Sequence, residues 1–102
     1  MRGGWHGRTA ATLACTDGAR YEAGALRAGV PLSRKVPFND VAALEAAMDG
    51  TIAAVLLEPV QGFSGARTAT TEFLQAAREL CDRHGAKLLF DEVQCGAGRT
   101  GT

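Results

Sequence analysis

The stretch Ile52-Ala53-Ala54-Val55-Leu56-Leu57-Glu58-Pro59 decides the fold. It is a short, partly β-branched apolar run, uncharged until Glu58, which is the pattern of a strand buried on both faces; Pro59 stops it. Further along, Thr70 or Thr71 is placed to cap a helix that runs to His84, with Phe73, Ala76, Ala77, Leu80 and His84 along one face. Glu72 sits near the positive end of that helix, Arg83 and His84 near the negative end, and Gly85 closes it. Leu88-Leu89-Phe90 reads as a second buried strand, ended by Asp91. Strand, crossover helix, strand is a βαβ unit, so the two strands are expected to be parallel and the fold class is α/β. In open parallel sheets ligands bind beyond the carboxyl ends of the strands. Glu58 and Asp91 each follow a strand there, so the sequence predicts two carboxylates at one edge of one sheet.

Working back toward the start, Asn39 is expected to cap a helix through Met48, with Val41, Leu44 and Met48 on one apolar face and Asp49-Gly50 as its end. Val36-Pro37-Phe38 reads as extended, because the residue before a proline is pushed out of the α region. Arg8 to Thr16 is expected to form a short helix ended by Asp17-Gly18. Tyr21 to Val30, which holds Gly24 and Gly29, reads as loop with room for a helical turn. Gly62 to Thr70 reads as loop.

The chain has 102 residues, enough for one small domain at most. Hydrophobic residues are 46% and charged residues 22%, as in ordinary globular chains. Lys plus Arg equals 11 and Asp plus Glu equals 11, so there is no net charge and no basic stripe, which argues against a nucleic-acid binder. Ile52–Leu57 is the longest uncharged apolar run, far below the roughly 20 residues a membrane span needs, and Met1-Arg2 is not followed by an apolar signal core. No membrane association and no secretory signal are expected. Cys15, Cys81 and Cys95 are widely spaced without a C-x-x-C, which suits free thiols in a reducing cytosol and a cytoplasmic location. His6 and His84 lie far apart with no supporting cluster, so no metal site is expected.

Gly96-Ala97-Gly98-Arg99-Thr100-Gly101 spells the G-x-G-x-x-G of dinucleotide sites, and a nucleotide-binding βαβ module is one reading of it. Asp91 to Cys95 separate these glycines from the strand, whereas in a dinucleotide site they follow it directly. A flexible active-site loop is the simpler reading. Asp91-Glu92-Val93-Gln94 is by itself either a solvated strand exit or a functional acid. Cys95 has no evident partner base and is not expected to act as a nucleophile.

Taken together, Trp5-His6-Gly7-Arg8-Thr9, then Glu58-Pro59-Val60-Gln61-Gly62, then Asp91-Glu92-Val93-Gln94 with Gly98-Arg99-Thr100-Gly101, in this order and spacing, resemble the class-III pyridoxal-phosphate-dependent aminotransferases, most of all their acetylornithine and ornithine branch. The helix Phe73 to Gly85 is similar too, and the resemblance covers nearly the whole chain. It implies part of the large domain of a fold-type-I enzyme, with a mainly parallel sheet and flanking helices. It also implies pyridoxal 5'-phosphate as cofactor and transfer of an amino group from an amino donor to a 2-oxo acid by a ping-pong route. The family is usually homodimeric, with the site at the subunit interface.

The resemblance also distributes roles. Asp91 resembles the acid that pairs with the pyridine nitrogen and keeps it protonated. Val93 resembles the residue packed on one face of the ring, and Trp5 stands where the family more often has a stacking phenylalanine. His6 belongs to the same cofactor-side motif. Gln94 resembles the residue that hydrogen-bonds the phenolic oxygen, and Glu58 the acid near the ring that holds polar groups in place. Arg8 matches the arginine that grips a substrate carboxylate.

Two departures bear on this reading. Phe63 stands where ornithine-type members usually carry a glutamate, which weakens assignment to ornithine or acetylornithine. The Schiff-base lysine is expected about thirty residues past Asp91, and neither Lys35 nor Lys87 matches it; the phosphate-holding loop is expected before Met1. On this basis residues 1–102 are expected to be a fragment of the cofactor-binding domain, inactive alone and without a catalytic residue. An aminomutase, racemase or decarboxylase of the same fold is the alternative within the family.

Overall fold

A computed structural model describes residues 1–62 and 65–101. Helix α1 (Ala10–Cys15) starts at Thr9, whose side chain accepts a hydrogen bond from the Thr12 N–H. Helix α2 (Ala19–Arg27) follows at once and packs on α1, with Ala25 fully buried. This corrects the loop expected over 21–30. Gly24 lies inside the helix where α1 covers it, a methyl group there meeting Leu13 Cδ1 at 3.6 Å, while Gly29, at φ 76°, lies beyond the helix end.

Helix α3 (Val41–Ala47) is capped by Asp40, whose carboxylate accepts from the Ala43 N–H, and not by Asn39 as expected. Asn39 instead takes a left-handed conformation (φ 63°) and turns its amide outward from the helix start. Its Nδ2 donates to the Thr68 carbonyl at 3.0 Å and its Oδ1 accepts from the Thr70 N–H at 2.8 Å. The helix ends at Ala47, with Met48 extended, and Gly50 is not in the left-handed region, so the glycine stop expected there is not used.

Strand β1 (Ala54–Leu57) then leads through Glu58 and Pro59 into a short ladder, β2 (Val60–Gln61) antiparallel to β3 (Arg67–Thr68), where the sequence suggested loop from residue 62. Arg67 lies over the Phe38 ring, 5.3 Å from its centroid. Helix α4 (Thr71–His84) is capped by Thr70, which accepts from the Phe73 N–H, and ends on Gly85 at φ 70°, both as expected. Strand β4 (Lys87–Phe90) pairs with β1 in parallel, Ala54 opposite Lys87 through Leu57 opposite Phe90. The βαβ crossover thus brings the carboxyl ends of β1 and β4 to one edge of the sheet.

The core lies between this sheet and helices α3 and α4. Phe73, Leu44, Leu57 and Cys81 are its largest fully buried members, and Phe38 meets Phe73 edge to face at 5.8 Å. Burying Phe73 alone is worth about 3 kcal/mol. The strands are not buried on both faces as expected. Val55 and Leu57 are buried and Ala54 is exposed between solvent and core, while Leu89 and Phe90 are 49% and 46% exposed. Val36 and Phe38 are buried from an extended segment that joins no sheet.

Candidate active site at the carboxyl edge of the sheet

Because Leu57 pairs with Phe90, the next residues, Glu58 and Asp91, stand side by side at the carboxyl edge, and the Asp91 N–H donates to the Leu57 carbonyl at 2.9 Å. The two acids differ in setting. Glu58 is 5% exposed, whereas the Asp91 side chain retains 19% exposure. Asp91 Oδ2 accepts from His6 Nδ1 at 2.9 Å, and its Oδ1 accepts from the Val93 N–H at 3.2 Å. An ionised carboxylate can only accept, so His6 Nδ1 carries the proton. The imidazole is 2% exposed, and its Nε2 has no hydrogen-bond partner among the described residues.

His6 is brought there by the segment Arg2–His6, which runs across the same edge. On one side, the Trp5 N–H donates to Glu58 Oε1 at 2.9 Å and the Arg2 carbonyl accepts from Gln61 Nε2 at 2.8 Å. On the other, Asp17 holds the Gly3 N–H at 2.8 Å and the Arg2 guanidinium at 2.7 Å, while Thr16 Oγ1 accepts from the His6 N–H. Burial pushes the Asp17 carboxyl up, but the Gly3 N–H and the Arg2 guanidinium together outweigh it, leaving it below the usual carboxylate value. Gly4 has room for no side chain: a Cβ there would come within 2.9 Å of His6 Nε2 and 3.1 Å of the Met1 carbonyl.

The expected site residues are therefore not all alike. Trp5, His6, Glu58 and Asp91 come together through two hydrogen bonds, one from the Trp5 peptide N–H to Glu58 and one between the His6 ring and Asp91. Val93 is 93% exposed and stands free beyond Asp91. Gln94 lies against Gly62, where a Cβ would collide with its amide oxygen. Arg8 is exposed, just ahead of the Thr9 cap. Phe63 falls outside the described residues. Lys35 is occupied elsewhere, its ammonium donating to the Ala14 carbonyl and Ser33 Oγ, with Glu22 at 3.6 Å. Lys87 starts β4, at the end opposite Asp91. Missed by sequence reasoning were Gln61 and Asp17, which hold the segment that carries Trp5 and His6. Gln61 lies inside the Glu58–Gly62 motif, and Asp17 carries in the sequence only the signal of a helix stop.

Residues 93–100 form successive turns, so Gly96–Gly101 do not follow β4 directly as the glycines of a dinucleotide fingerprint follow their strand. Among the described residues no group of three or more His, Cys, Asp and Glu side chains could hold a metal, and no helix is long and apolar enough to cross a membrane. Cys15, Cys81 and Cys95 are free thiols.

A parallel βαβ unit with a partly open carboxylate beyond its second strand is the framework of an α/β enzyme site. The sequence profile described as Aminotransferase class-III matches residues 1–102, and the chain belongs to that family. It is 52% identical over 105 residues to the acetylornithine aminotransferase of Xanthomonas axonopodis pv. citri, a match that covers 100% of the chain and 25% of that protein. In structure it resembles the N-acetylornithine aminotransferase of Stenotrophomonas maltophilia (54% identity, TM-score 0.66, 68% of this chain and 19% of that one). It also resembles an ornithine aminotransferase of Toxoplasma gondii with PLP at partial occupancy in its active site (30% identity, TM-score 0.79, 99% of this chain and 24% of that one). The chain spans about a quarter of the length of the curated relatives it matches.

Proposed function

We propose that residues 1–102 form part of the cofactor-binding large domain of a pyridoxal-phosphate-dependent transaminase. The enzyme would move an amino group between an acetylornithine- or ornithine-like substrate, or another ω-amine, and a 2-oxo acid. The observation that carries the reading is the Asp91 carboxylate. It stands beyond the carboxyl end of β4, held from two sides by His6 and the Val93 N–H, and still partly open. With two of its roughly four lone-pair positions used, it can accept one more charged donor.

The residues present fit the cofactor. Pyridoxal phosphate, when bound, supplies an electron sink that lets a substrate Cα–H bond break. Asp91 holds the proton at the pyridine nitrogen, since an anion there favours the cationic form that burial would otherwise suppress. His6 orients Asp91 through Nδ1. The free isopropyl group of Val93 offers one apolar face, the Trp5 ring the other, and both keep water from the reacting bonds. Gln94, folded onto Gly62, is assigned to the phenolic oxygen, and Arg8, exposed on the approach, to the substrate carboxylate, where a guanidinium fork fixes orientation. A homodimer in a reducing, cytoplasmic setting belongs to the same reading, supported by the family and by three free thiols.

The test is a graft. Residues 1–102 replace the matching quarter of the Xanthomonas relative, which supplies the rest of the enzyme. The graft is expected to bind pyridoxal phosphate and to transaminate acetylornithine with a 2-oxo acid. Because Phe63 cannot carry charge, Phe63→Glu in the graft is expected to favour substrates with a terminal amine over those with a terminal carboxylate. A folded graft that binds the cofactor but does not transaminate overturns the reading.

A further inference from the structure

We infer that Glu58 and Gln61 are positioning residues. They clamp the backbone of residues 2–5 and so set where the Trp5 ring stands, acting through peptide groups and not by touching cofactor or substrate. The inference rests on the reading of Trp5 as the stacking residue and names how that ring is held.

Glu58 poses the question. A carboxylate with 5% exposure is costly unless its oxygens are used. Its Oε1 is spent on the Trp5 peptide N–H at 2.9 Å, a charge-assisted bond across 53 residues of sequence. Three residues on, the fully buried Gln61 gives its Nε2 to the Arg2 carbonyl at 2.8 Å. That bond fixes the amide orientation, because a flipped Gln61 would set oxygen against oxygen. The unflipped orientation leaves Gln61 Oε1 buried without a partner among the described residues. A buried acceptor left unsatisfied is a cost that the Arg2 bond must offset. Both clamps come from one short stretch, Glu58 directly after β1 and Gln61 in β2, and both grip main chain. Main-chain grips at Arg2 and Trp5 fix the path of residues 2–5 whatever their side chains are, and the Trp5 side chain projects from the gripped end of that path.

Trp5 is the single tryptophan, so it reports on itself. The experiment follows amide hydrogen exchange, read by mass spectrometry at single-amide resolution, and acrylamide quenching of Trp5 fluorescence, in the full 102-residue chain below micromolar concentration. It compares the unaltered chain with Glu58→Ala and Glu58→Gln. The α4 amides serve as the internal reference for folding. In Glu58→Ala, exchange at the Trp5 N–H is expected to rise at least ~10-fold, the scale of losing a hydrogen bond to a charged group. Trp5 quenching is expected to rise with it while α4 stays protected. Glu58→Gln keeps an acceptor oxygen and is expected to restore most of the protection. Gln61→Met is expected to raise Trp5 exchange and quenching as well, by a smaller factor.

Three results overturn the inference: no protection at the Trp5 N–H in the unaltered chain, no change in Glu58→Ala, or equal loss at Trp5 and α4 in both Glu58 variants. No cofactor enters the measurement, so its failure leaves the transaminase reading standing. A graft that fails to bind pyridoxal phosphate would in turn leave the clamp standing.

Discussion

At Asp91 the charge matters more than the shape. An unprotonated pyridine ring is a poorer electron sink, so removing the anion is felt in the transition state more than in binding. In the graft, Asp91→Ala is expected to slow the half-reaction by roughly 100-fold or more, the loss of ~3 kcal/mol of transition-state stabilisation. Single-turnover absorbance changes with cofactor bound would measure it, and a near-unaltered rate would remove Asp91 from its assigned place. Asp91→Glu is expected to retain more activity than Asp91→Asn. Glu92→Ala is expected to be mild, because Glu92 is exposed and the Gly96 N–H uses its carbonyl, not its side chain. Asp17 makes a different prediction. Its carboxyl lies below the ordinary 3.8, so its contribution to stability is present above that value and lost as pH falls through the lower folded value. Asp17→Asn is therefore expected to lower stability at pH 7 by about 1 kcal/mol, less than a fully buried charged bond gives. It is also expected to flatten the fall in urea midpoint as pH drops through and below the ordinary carboxylate value. The acids at the sheet edge were legible because an apolar run that stops at a carboxylate states its own direction. The His6–Asp91 pair was not, since no periodicity links residues 85 apart.

Helix α4 is the element the sequence describes best, and its ends can be tested separately. Thr70→Ala removes the acceptor for the Phe73 N–H and is expected to cost about 1 kcal/mol. Gly85→Ala forces a side chain into φ 70° and is expected to cost about 1–2 kcal/mol. Both are read as shifts in the denaturation midpoint of far-ultraviolet ellipticity, and no shift at Gly85 would mean the helix ends differently. This element was legible because cap, apolar stripe, charge bias and terminal glycine all agree. Helix α2 lacked such agreement. Its cap is Gly18 with no side-chain bond, and it holds together by leaning on α1, a tertiary effect that local propensity does not carry. At the start of α3 the cap expected from the sequence is Asn39. The structure uses Asp40 for the helix and frees Asn39 to tie down the Thr68–Thr70 segment. The β2–β3 ladder pairs only Val60 with Thr68 and Gln61 with Arg67, too short to leave a pattern.

For the molecule as a whole, the sheet has two strands, and Leu89, Phe90 and Val93 present 49%, 46% and 93% of their surface to solvent. Isolated two-stranded sheets are weak, and open apolar strands recruit partners. The chain alone is expected to bind a hydrophobic dye and to associate as its concentration rises from micromolar upward, followed by sedimentation. In the graft, dye binding is expected to fall to the level of the relative itself. A monomer free of dye binding at high concentration would mean that these side chains are covered in solution. The His6–Asp91 contact has a further consequence, for the order of events during folding. It closes a loop of 85 residues at an entropic cost of about 4 kcal/mol, about 1 kcal/mol more than the closure that pairs β1 with β4. Helices α1 to α4 and the β1–β4 register can form over much shorter spans. The bond that orients Asp91 is therefore expected to be made last, once the residues between its partners are ordered. The acid takes up its working attitude only when the rest of the chain is in place, and a fold interrupted anywhere between residues 6 and 91 leaves it unaligned.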